Sequence, residues 1–273
     1  MIATPIGNLA DLTPRARDAL AAASLIAAED TRHTQQLLAA CGISRPMVSL
    51  HEHNEAQRAA ELTQRMMDGE VIALVSDAGT PLFSDPGLLL VRTAAAAGVT
   101  VRALPGPSAL TAALSVAGIA TARFAFEGFL PARAAERQAR LRTLEHEPRT
   151  LVFFEAPHRL RATLRDLADI FGAQREAAVA RELTKLHETV YRGSLARLNE
   201  QASEDGTLSR GELVLVIAGA PENADRGQLE LLARLLPLLV AELPPSRAAA
   251  IAARVTGIER SVIYEQALRL TRA

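Results

Sequence analysis

The chain has 273 residues, of which 49% are hydrophobic and 22% charged, with 30 basic against 31 acidic side chains and a net charge of −1. Such a composition predicts a folded protein of more than one domain with a sizeable core, and excludes both a disordered chain and a polybasic one whose charge alone would name a partner. A single cysteine, Cys41, excludes a disulfide framework or a Cys-based zinc site, and no apolar run reaches the roughly 18 residues that a membrane-spanning helix needs.

The cytosol is therefore the expected compartment, and "MIATPIGN" carries neither the basic region nor the apolar core of a signal peptide. After the loop "TPIGN" (Thr4–Asn8), Thr13 as N-cap and Pro14 at the first helical position predict a helix over "LTPRARDALAAAS". The apolar stretch Ser24–Ala28 then runs into "AEDTRHT", where Asp30 or Thr31 is placed to cap a helix. "MVSL" precedes "HEHNE".

Short continuous aliphatic runs predict strands buried on both faces, as in parallel sheets, at Val71–Ser76, Val99–Leu104, Thr150–Phe154, Ala178–Glu182 and Leu213–Ala218, with the more aromatic Phe124–Phe129 as a further strand. "SALTAALSVAG" reads as a helix with Ser108 as N-cap and Gly118 as terminator. Breaks at Ala117–Arg123 and at the polar linker Gly219–Gly227 divide the chain into an α/β half (1–118), a second α/β half (119–222) and a helical tail (228–273), in which Gly257 sits as a helix-turn-helix would place it. The fold class is α/β with a small helical C-terminal module.

Three loops follow predicted strands: "TPIGN", "SDAGTPLFSDPG" (Ser76–Gly87) and "LPGPSAL" (Leu104–Leu110). Ligands of open α/β sheets bind outside the carboxyl ends of strands, so the loops are expected to line one crevice. Prolines remove N–H donors and Asp77 adds negative charge, which disfavours a polyphosphate, and the absence of G-x-G-x-x-G argues against a nicotinamide cofactor. A nucleoside with a carboxylate fits better: Asp77 can accept from a ribose, Gly79 admits close backbone approach, and the helix start at Ser108 can receive a carboxylate. S-adenosylmethionine has these features and a cationic sulfonium.

Polar clusters offer the acceptor side. Glu29, Asp30, Arg32 and His33 form one, and "RELTKLHE" places Arg181, Glu182, Lys185, His187 and Glu188 in another. Lys185 is the only lysine among the 30 basic residues, which reads either as chance survival in an arginine-biased chain or as a position where a guanidinium does not serve. His51 and His53 could pair on a metal, but no third ligand has suitable spacing, so with Asn54 they read as a polar loop or an RNA contact and no metal is expected. Arg133, Arg137 and Arg140, at i, i+4 and i+7, predict a basic helical stripe able to track phosphates, and "APHRLRATLR" adds His158 and Arg159.

The ordered set "ATPIGNLADLTPRA", "IAAEDTRHTQQLL", "HEHNE", "VSDAGTPLFSDPG", "LPGPSALTAAL", "FEGFLP", "FFEAPHRL" and "ELTKLHETVYRG" resembles the bacterial ribosomal small-subunit RNA methyltransferase I family, within the tetrapyrrole-methylase-like superfamily, from Ala3 to the C-terminus. The resemblance implies two α/β halves with a cofactor cleft between them and S-adenosylmethionine-dependent 2′-O-methylation of cytidine 1402 in 16S rRNA of the decoding centre. It implies that Pro5 and Gly7 border the cleft, that Asp77, Gly79, Thr80 and Pro81 hold the adenosyl and methionyl parts, that Ser108 and Ala109 offer backbone donors, and that Phe154, Glu155, Ala156 and Leu183 close over the ligand. Around the acceptor hydroxyl we expect Glu29, Asp30 and Lys185; toward the RNA, Arg32, His51, Asn54, Arg133, Arg137, Arg140, His158, Arg159 and His187. The partner so implied is 16S rRNA or the small subunit, without a membrane, and the superfamily implies a homodimer. Two departures stand out: few apolar residues precede "ATPIGN", which leaves a first strand nearly absent and implies either a misassigned start codon or a weakened sheet edge, and "ARAAER" replaces a compact basic pair after "GFLP", which bears on the strength or register of the RNA contact and not on the cofactor site. A tetrapyrrole methylase or a non-enzymatic nucleic-acid binder are the alternatives; the former leaves the arginine stripe and the tail without a purpose, the latter the first 220 residues.

Overall fold

Alternating side chains along the strands decide which surfaces the helices cover. The computed structural model describes residues 1–204, 206–208, 210–221 and 224–272. In chain order the elements are α1 (Pro14–Ala22), β1 (Leu25–Ala28), α2 (Thr31–Ala40), β2 (Met47–Ser49), α3 (Glu55–Met67), β3 (Ile72–Val75), α4 (Leu88–Ala96), α5 (Ala109–Ala117), β4 (Phe124–Phe129), α6 (Ala134–Leu144), β5 (Thr150–Glu155), α7 (Leu160–Phe171), β6 (Glu176–Arg181), β7 (Thr189–Ser194), α8 (Leu195–Glu204), β8 (Leu213–Ile217), α9 (Ala224–Glu242), α10 (Pro245–Thr256) and α11 (Arg260–Arg272). They form two compact units, 1–220 and 221–273.

The first sheet is parallel, in the order β2-β1-β3. Ile26, Ala28, Ala73 and Val75 face a core shared with Ala16 and Leu20 of α1 and Leu38 of α2. Leu25, Ala27 and Leu74 face the opposite side, with Leu62 of α3 and Leu90 of α4. Both faces are covered, which is why these strands read as unbroken aliphatic runs. Thr13 caps α1 by accepting from the Ala16 N–H at 3.1 Å, and Asp30 caps α2 by accepting from the Arg32 N–H at 2.8 Å, both as expected.

Two expectations for this half need correction. The segment Val99–Leu104 is not a ladder strand, and meets the N-terminal segment only through the isolated bridge Ile2↔Leu104. The N-terminal segment is not a weak edge either: the Ile2 N–H donates to Leu74 O (3.0 Å) and the Leu104 N–H to Met1 O (2.8 Å), so Met1–Thr4 lies between β3 and the 99–104 segment. Ile2, Ala3 and Thr4 are buried there. A partner of only four residues supplies too few groups for a regular ladder, yet it covers both neighbours.

The second sheet has the order β4-β5-β8-β6-β7. Only β4 and β5 are parallel; β8 runs antiparallel to both β5 and β6, and β6 antiparallel to β7. The parallel expectation thus fails here for a physical reason: a continuous aliphatic run reports burial on both faces, not strand direction. Leu151, Phe153, Val179, Leu213 and Leu215 face a core with α6, α7 and α8. Val152, Ala178, Ala180, Val214 and Val216 face α5 through Leu110, Ala113, Leu114 and Ala117. Although it follows the first sheet in sequence, α5 therefore packs on the second. The edge strand β7 was hidden in sequence behind the polar cluster that precedes it.

The unit 221–273 has a core of its own. Leu232 and Leu236 of α9, Ala249 and Ala252 of α10, and Ile263 and Ala267 of α11 form its core. Gly257 ends α10 in the left-handed region at φ 75°, as the turn between two helices requires. The expected linker Gly219–Gly227 is shorter than predicted, because α9 begins at Ala224; a glycine inside a helix costs only about 1 kcal/mol relative to alanine. Glu222 and Asn223 of that linker lie outside the described residues. No described helix is long and apolar enough to cross a membrane.

Candidate active site

The carboxyl ends of β1, β3 and β5 converge on a cavity of about 480 Å³ between the two sheets. Glu29 follows β1, Asp77 and Gly79 follow β3, and Ser108 and Ala109 open α5 on one wall; Phe154, Glu155, Ala156 and Leu183 form the other. Because β8 is antiparallel, its beginning, Leu213 and Val214, also reaches this end of the sheet. Of the expected cofactor residues, Asp77, Gly79, Thr80, Ser108, Ala109, Phe154, Glu155, Ala156 and Leu183 line the cavity, whereas Pro5, Gly7 and Pro81 do not.

The glycines of the loops allow close approach. Gly79 has φ 83° and exchanges both backbone hydrogen bonds with Thr4 (2.9 and 3.0 Å); a Cβ there would lie 3.3 Å from Ile6 Cγ2. Gly7 serves another purpose: a Cβ would fall 2.3 Å from Lys185 Cγ, so the lysine stem from the second half crosses directly over it. Ser108 flanks α5 as predicted, but its hydroxyl does not cap the helix and leaves the first-turn N–H groups clear of it. Thr80 is tied down by donating its hydroxyl to Pro107 O at 3.1 Å.

Non-glycine residues with positive φ cluster in two loops beside the cavity: Leu82 (80°) and Ser84 (70°), and Glu182 (51°) and Thr184 (64°). Such conformations persist where surrounding structure over-determines them, and they concentrate at functional sites. The first loop reaches the second sheet, since a Cβ on Gly128 of β4 would sit 3.1 Å from Ser84 Oγ. There Phe83, Phe126, Phe154 and Phe129 form a chain of edge-to-face contacts with centroids 6.1, 4.8 and 5.6 Å apart. Three of them line the cavity, so an aromatic-poor chain gathers four of its seven phenylalanines at this mouth.

The acidic wall holds Glu29, Asp77 and Asp85. Asp77 is oriented by the Asp30 N–H (2.9 Å) and by His33 Nδ1 (3.2 Å). Burial pushes the Glu29 carboxyl up, and the charges of Asp77, Glu52 and Asp30 add to this against a bond from the Asp77 N–H. Asp85 is pushed up to about 6, first by burial and then by the charges of Glu29 and Asp77, against a hydrogen bond with Ser76. Sequence reading missed Asp85 because "SDPG" also reads as an ordinary turn; its half-burial among acids is a tertiary property.

Several expected roles change. Asp30 is held far below the usual carboxylate range by the Arg32 side chain, which it grips while capping α2, so it is not a proton acceptor. Arg32 is correspondingly paired with it. Burial pulls the Lys185 ammonium down, but Glu182 (3.0 Å) and Glu212 (3.2 Å) outweigh it and raise the pKa, so the lysine is held as an ammonium between two carboxylates. Glu155 lines the cavity with a carboxylate already taken up by the Thr163 hydroxyl, the Ala156 N–H and Arg159.

Among the RNA candidates, Arg137 does not belong to a basic stripe. It is buried, with Nε and Nη2 lying 2.7 and 2.6 Å from Asp166 Oδ2. Arg140 pairs with Glu127 and Arg133 with Glu136, which leaves a charge-balanced helix face. Arg159 braces the Leu130 and Pro131 carbonyls, while His158 is exposed beside it. His51 and Asn54 form a local turn, in which the Asn54 amide oxygen accepts from the His51 N–H at 2.9 Å. The exposed His187 meets Arg181 through its backbone carbonyl.

A two-half α/β unit with a cleft at its strand ends is the architecture of the tetrapyrrole (corrin/porphyrin) methylases, whose family matches residues 1–199, and residues 227–271 match the RsmI C-terminal HTH domain. Uroporphyrin-III C-methyltransferase from Thermus thermophilus, solved with S-adenyl homocysteine, superposes with a TM-score of 0.55 over 80% of this chain and 95% of its own at 18% identity, a likeness of fold alone. Proteins named ribosomal RNA small subunit methyltransferase I from Xylella fastidiosa and Pseudomonas aeruginosa are 54% and 50% identical, over 97% and 98% of this chain and 96% of each of theirs. The chain belongs to the ribosomal RNA small subunit methyltransferase I family of tetrapyrrole methylase-type proteins.

Proposed function

We propose that the protein transfers a methyl group from S-adenosylmethionine to the 2′-oxygen of cytidine 1402 in 16S rRNA, within the decoding centre. The likeness to rRNA methyltransferases over nearly the whole chain, helical tail included, carries this reading. The chemistry of the cavity fits the cofactor. Asp77, fixed by the Asp30 N–H and His33, is an acceptor for ribose hydroxyls, and the uncapped start of α5 suits a carboxylate. On the acidic wall, the carboxylates of Glu29 and Asp77 suit a cation. When bound, S-adenosylmethionine supplies an electrophilic methyl carbon on a sulfonium.

The chain's own work is then alignment, exclusion of water and care of the hydroxyl proton. In this reading the first half (1–118) contributes the acidic wall, the second (119–222) the apolar wall, and the tail (228–273) a module for the RNA or the subunit. Phe83, Phe129 and Leu183 shield the reacting centre. Lys185 acts as a fixed positive charge rather than a base. An rRNA substrate supports a cytoplasmic activity, and the superfamily suggests a homodimer. The test is transfer of an isotope-labelled methyl group to 16S rRNA, followed by mapping of the labelled nucleotide and sugar position. Label on a base, or only in a porphyrinoid, would overturn the reading.

A further inference from the structure

We propose that Asp85 is the group that accepts the proton of the acceptor hydroxyl; the assignment rests on the functional reading above. Among the described residues the carboxylates that line the cavity are Glu29, Asp77, Asp85, Glu155 and Glu212, and Asp30 adjoins it through Asp77. Four are committed. Asp30 grips Arg32 and caps α2, Asp77 is held between the Asp30 N–H and His33, Glu155 is bound by Thr163, Ala156 and Arg159, and Glu212 pairs with Lys185. Glu29 accepts at 3.4 Å from the Asp77 N–H, and Asp85 has no ion-pair partner among the described residues, with the Ser76 hydroxyl as its polar neighbour.

Its place on the chain supports the role. Asp85 stands on the loop that leaves the first sheet, crosses to β4 through Ser84 and Phe83, and returns to α4 at Gly87. Leu82 and Ser84, with positive φ, hold that loop in a shape the sequence alone does not favour. Half-buried, Asp85 lines the cavity from the loop that joins its two walls. The groups around it are Glu29 and Asp77, the Ser76 hydroxyl, and, on the opposite wall, Glu155 and Glu212.

The step balances. Asp85 takes the proton as the O–H bond breaks; the oxygen pair forms the new C–O bond, and the pair of the broken S–C bond stays on sulfur as a thioether. The carboxyl then returns its proton to water. A base whose pKa lies near the working pH is efficient, and burial with a pKa of about 6 meets that requirement better than a surface aspartate.

The experiment compares wild type, Asp85→Asn and Glu29→Gln in single-turnover methyl transfer from pH 5 to 9, with calorimetry of S-adenosylhomocysteine and of the sulfonium itself. Carbon NMR of the cofactor-free protein follows the Asp85 carboxyl. The expected result is a fall of about 10²- to 10⁴-fold in rate for Asp85→Asn, with the acid limb lost and both ligands bound as in wild type. Glu29→Gln keeps that limb, and the NMR titration has its midpoint near pH 6. An unchanged rate and pH profile for Asp85→Asn overturns the assignment. So does weakened binding of the sulfonium alone, which would make Asp85 its counter-charge. If wild type leaves 16S rRNA unlabelled, the functional reading falls and this assignment with it. Asp85→Glu guards against misfolding, because a displaced but titratable carboxyl should restore part of the rate and the limb.

Discussion

Replacing Arg137 by alanine should unfold the protein far more readily than any change to the neighbouring surface arginines. The Arg137 and Asp166 side chains are only 6% and 9% exposed, and Asp166 Oδ2 lies 2.6–2.7 Å from two guanidinium nitrogens while Oδ1 accepts from Gln138 at 2.9 Å. Truncation removes the partner and leaves a buried carboxylate with one neutral donor, a situation that destabilises by about 3–5 kcal/mol. With a Tm change of roughly 2–4 °C per kcal/mol for a unit of this size, Tm should drop by about 6–20 °C. Urea unfolding and calorimetry of Arg137→Ala, beside Arg133→Ala as an exposed control expected within about 0.5 kcal/mol, measure it. Arg137→Met with Asp166→Leu should recover most of the loss, since replacing both partners leaves no buried charge. A deficit below about 1 kcal/mol for Arg137→Ala would refute the reasoning. The salt slope of RNA binding should also be the same as in wild type, because Arg137 makes no phosphate contact.

Gly7→Ala places a Cβ 2.3 Å from Lys185 Cγ, so the lysine must leave its groove; methyl transfer should fall about 10²-fold, and a wild-type rate would show that the crossing has no bearing on activity. Lys185→Met should lower the rate while leaving the pH profile unchanged in shape, since the ammonium is already charged throughout that range; loss of a limb would identify it as the base after all. The raised pKa of Asp85 has a sign that can be checked without cofactor. The folded state binds its proton more tightly than the unfolded chain, so the contribution of Asp85 to stability is greatest below pH 3.8 and is lost as pH rises through about 6. The difference in urea midpoint between wild type and Asp85→Asn should therefore shift against wild type across that window; a constant difference would show that Asp85 does not titrate there.

Much of the site was legible because its parts are local. Asp77, Gly79, Thr80, Ser108 and Ala109 stand in loops that the Gly and Pro spacing marks as strand ends, and strand ends are where an open sheet gathers ligands. The helix caps at Thr13 and Asp30 were equally local, each settled within three residues. Lys185 was visible as an exception in composition, though its full pairing was not: beside the nearby Glu182 it meets Glu212, which is far away in sequence.

The sequence by itself determined the family, through its ordered motifs, and the α/β class, which residues run as buried strands and which loops line the cavity, through near-neighbour pattern. Tertiary structure alone decided strand direction in the second sheet, the docking of α5 across the sequence break, the insertion of Met1–Thr4 between β3 and the 99–104 segment, and the burial of Arg137. It also decided which carboxylates at the cavity are committed to partners. These are matters of long-range pairing and desolvation: a carboxylate or guanidinium looks the same along the chain whether it meets water or a partner, and only the packing of distant segments chooses between them.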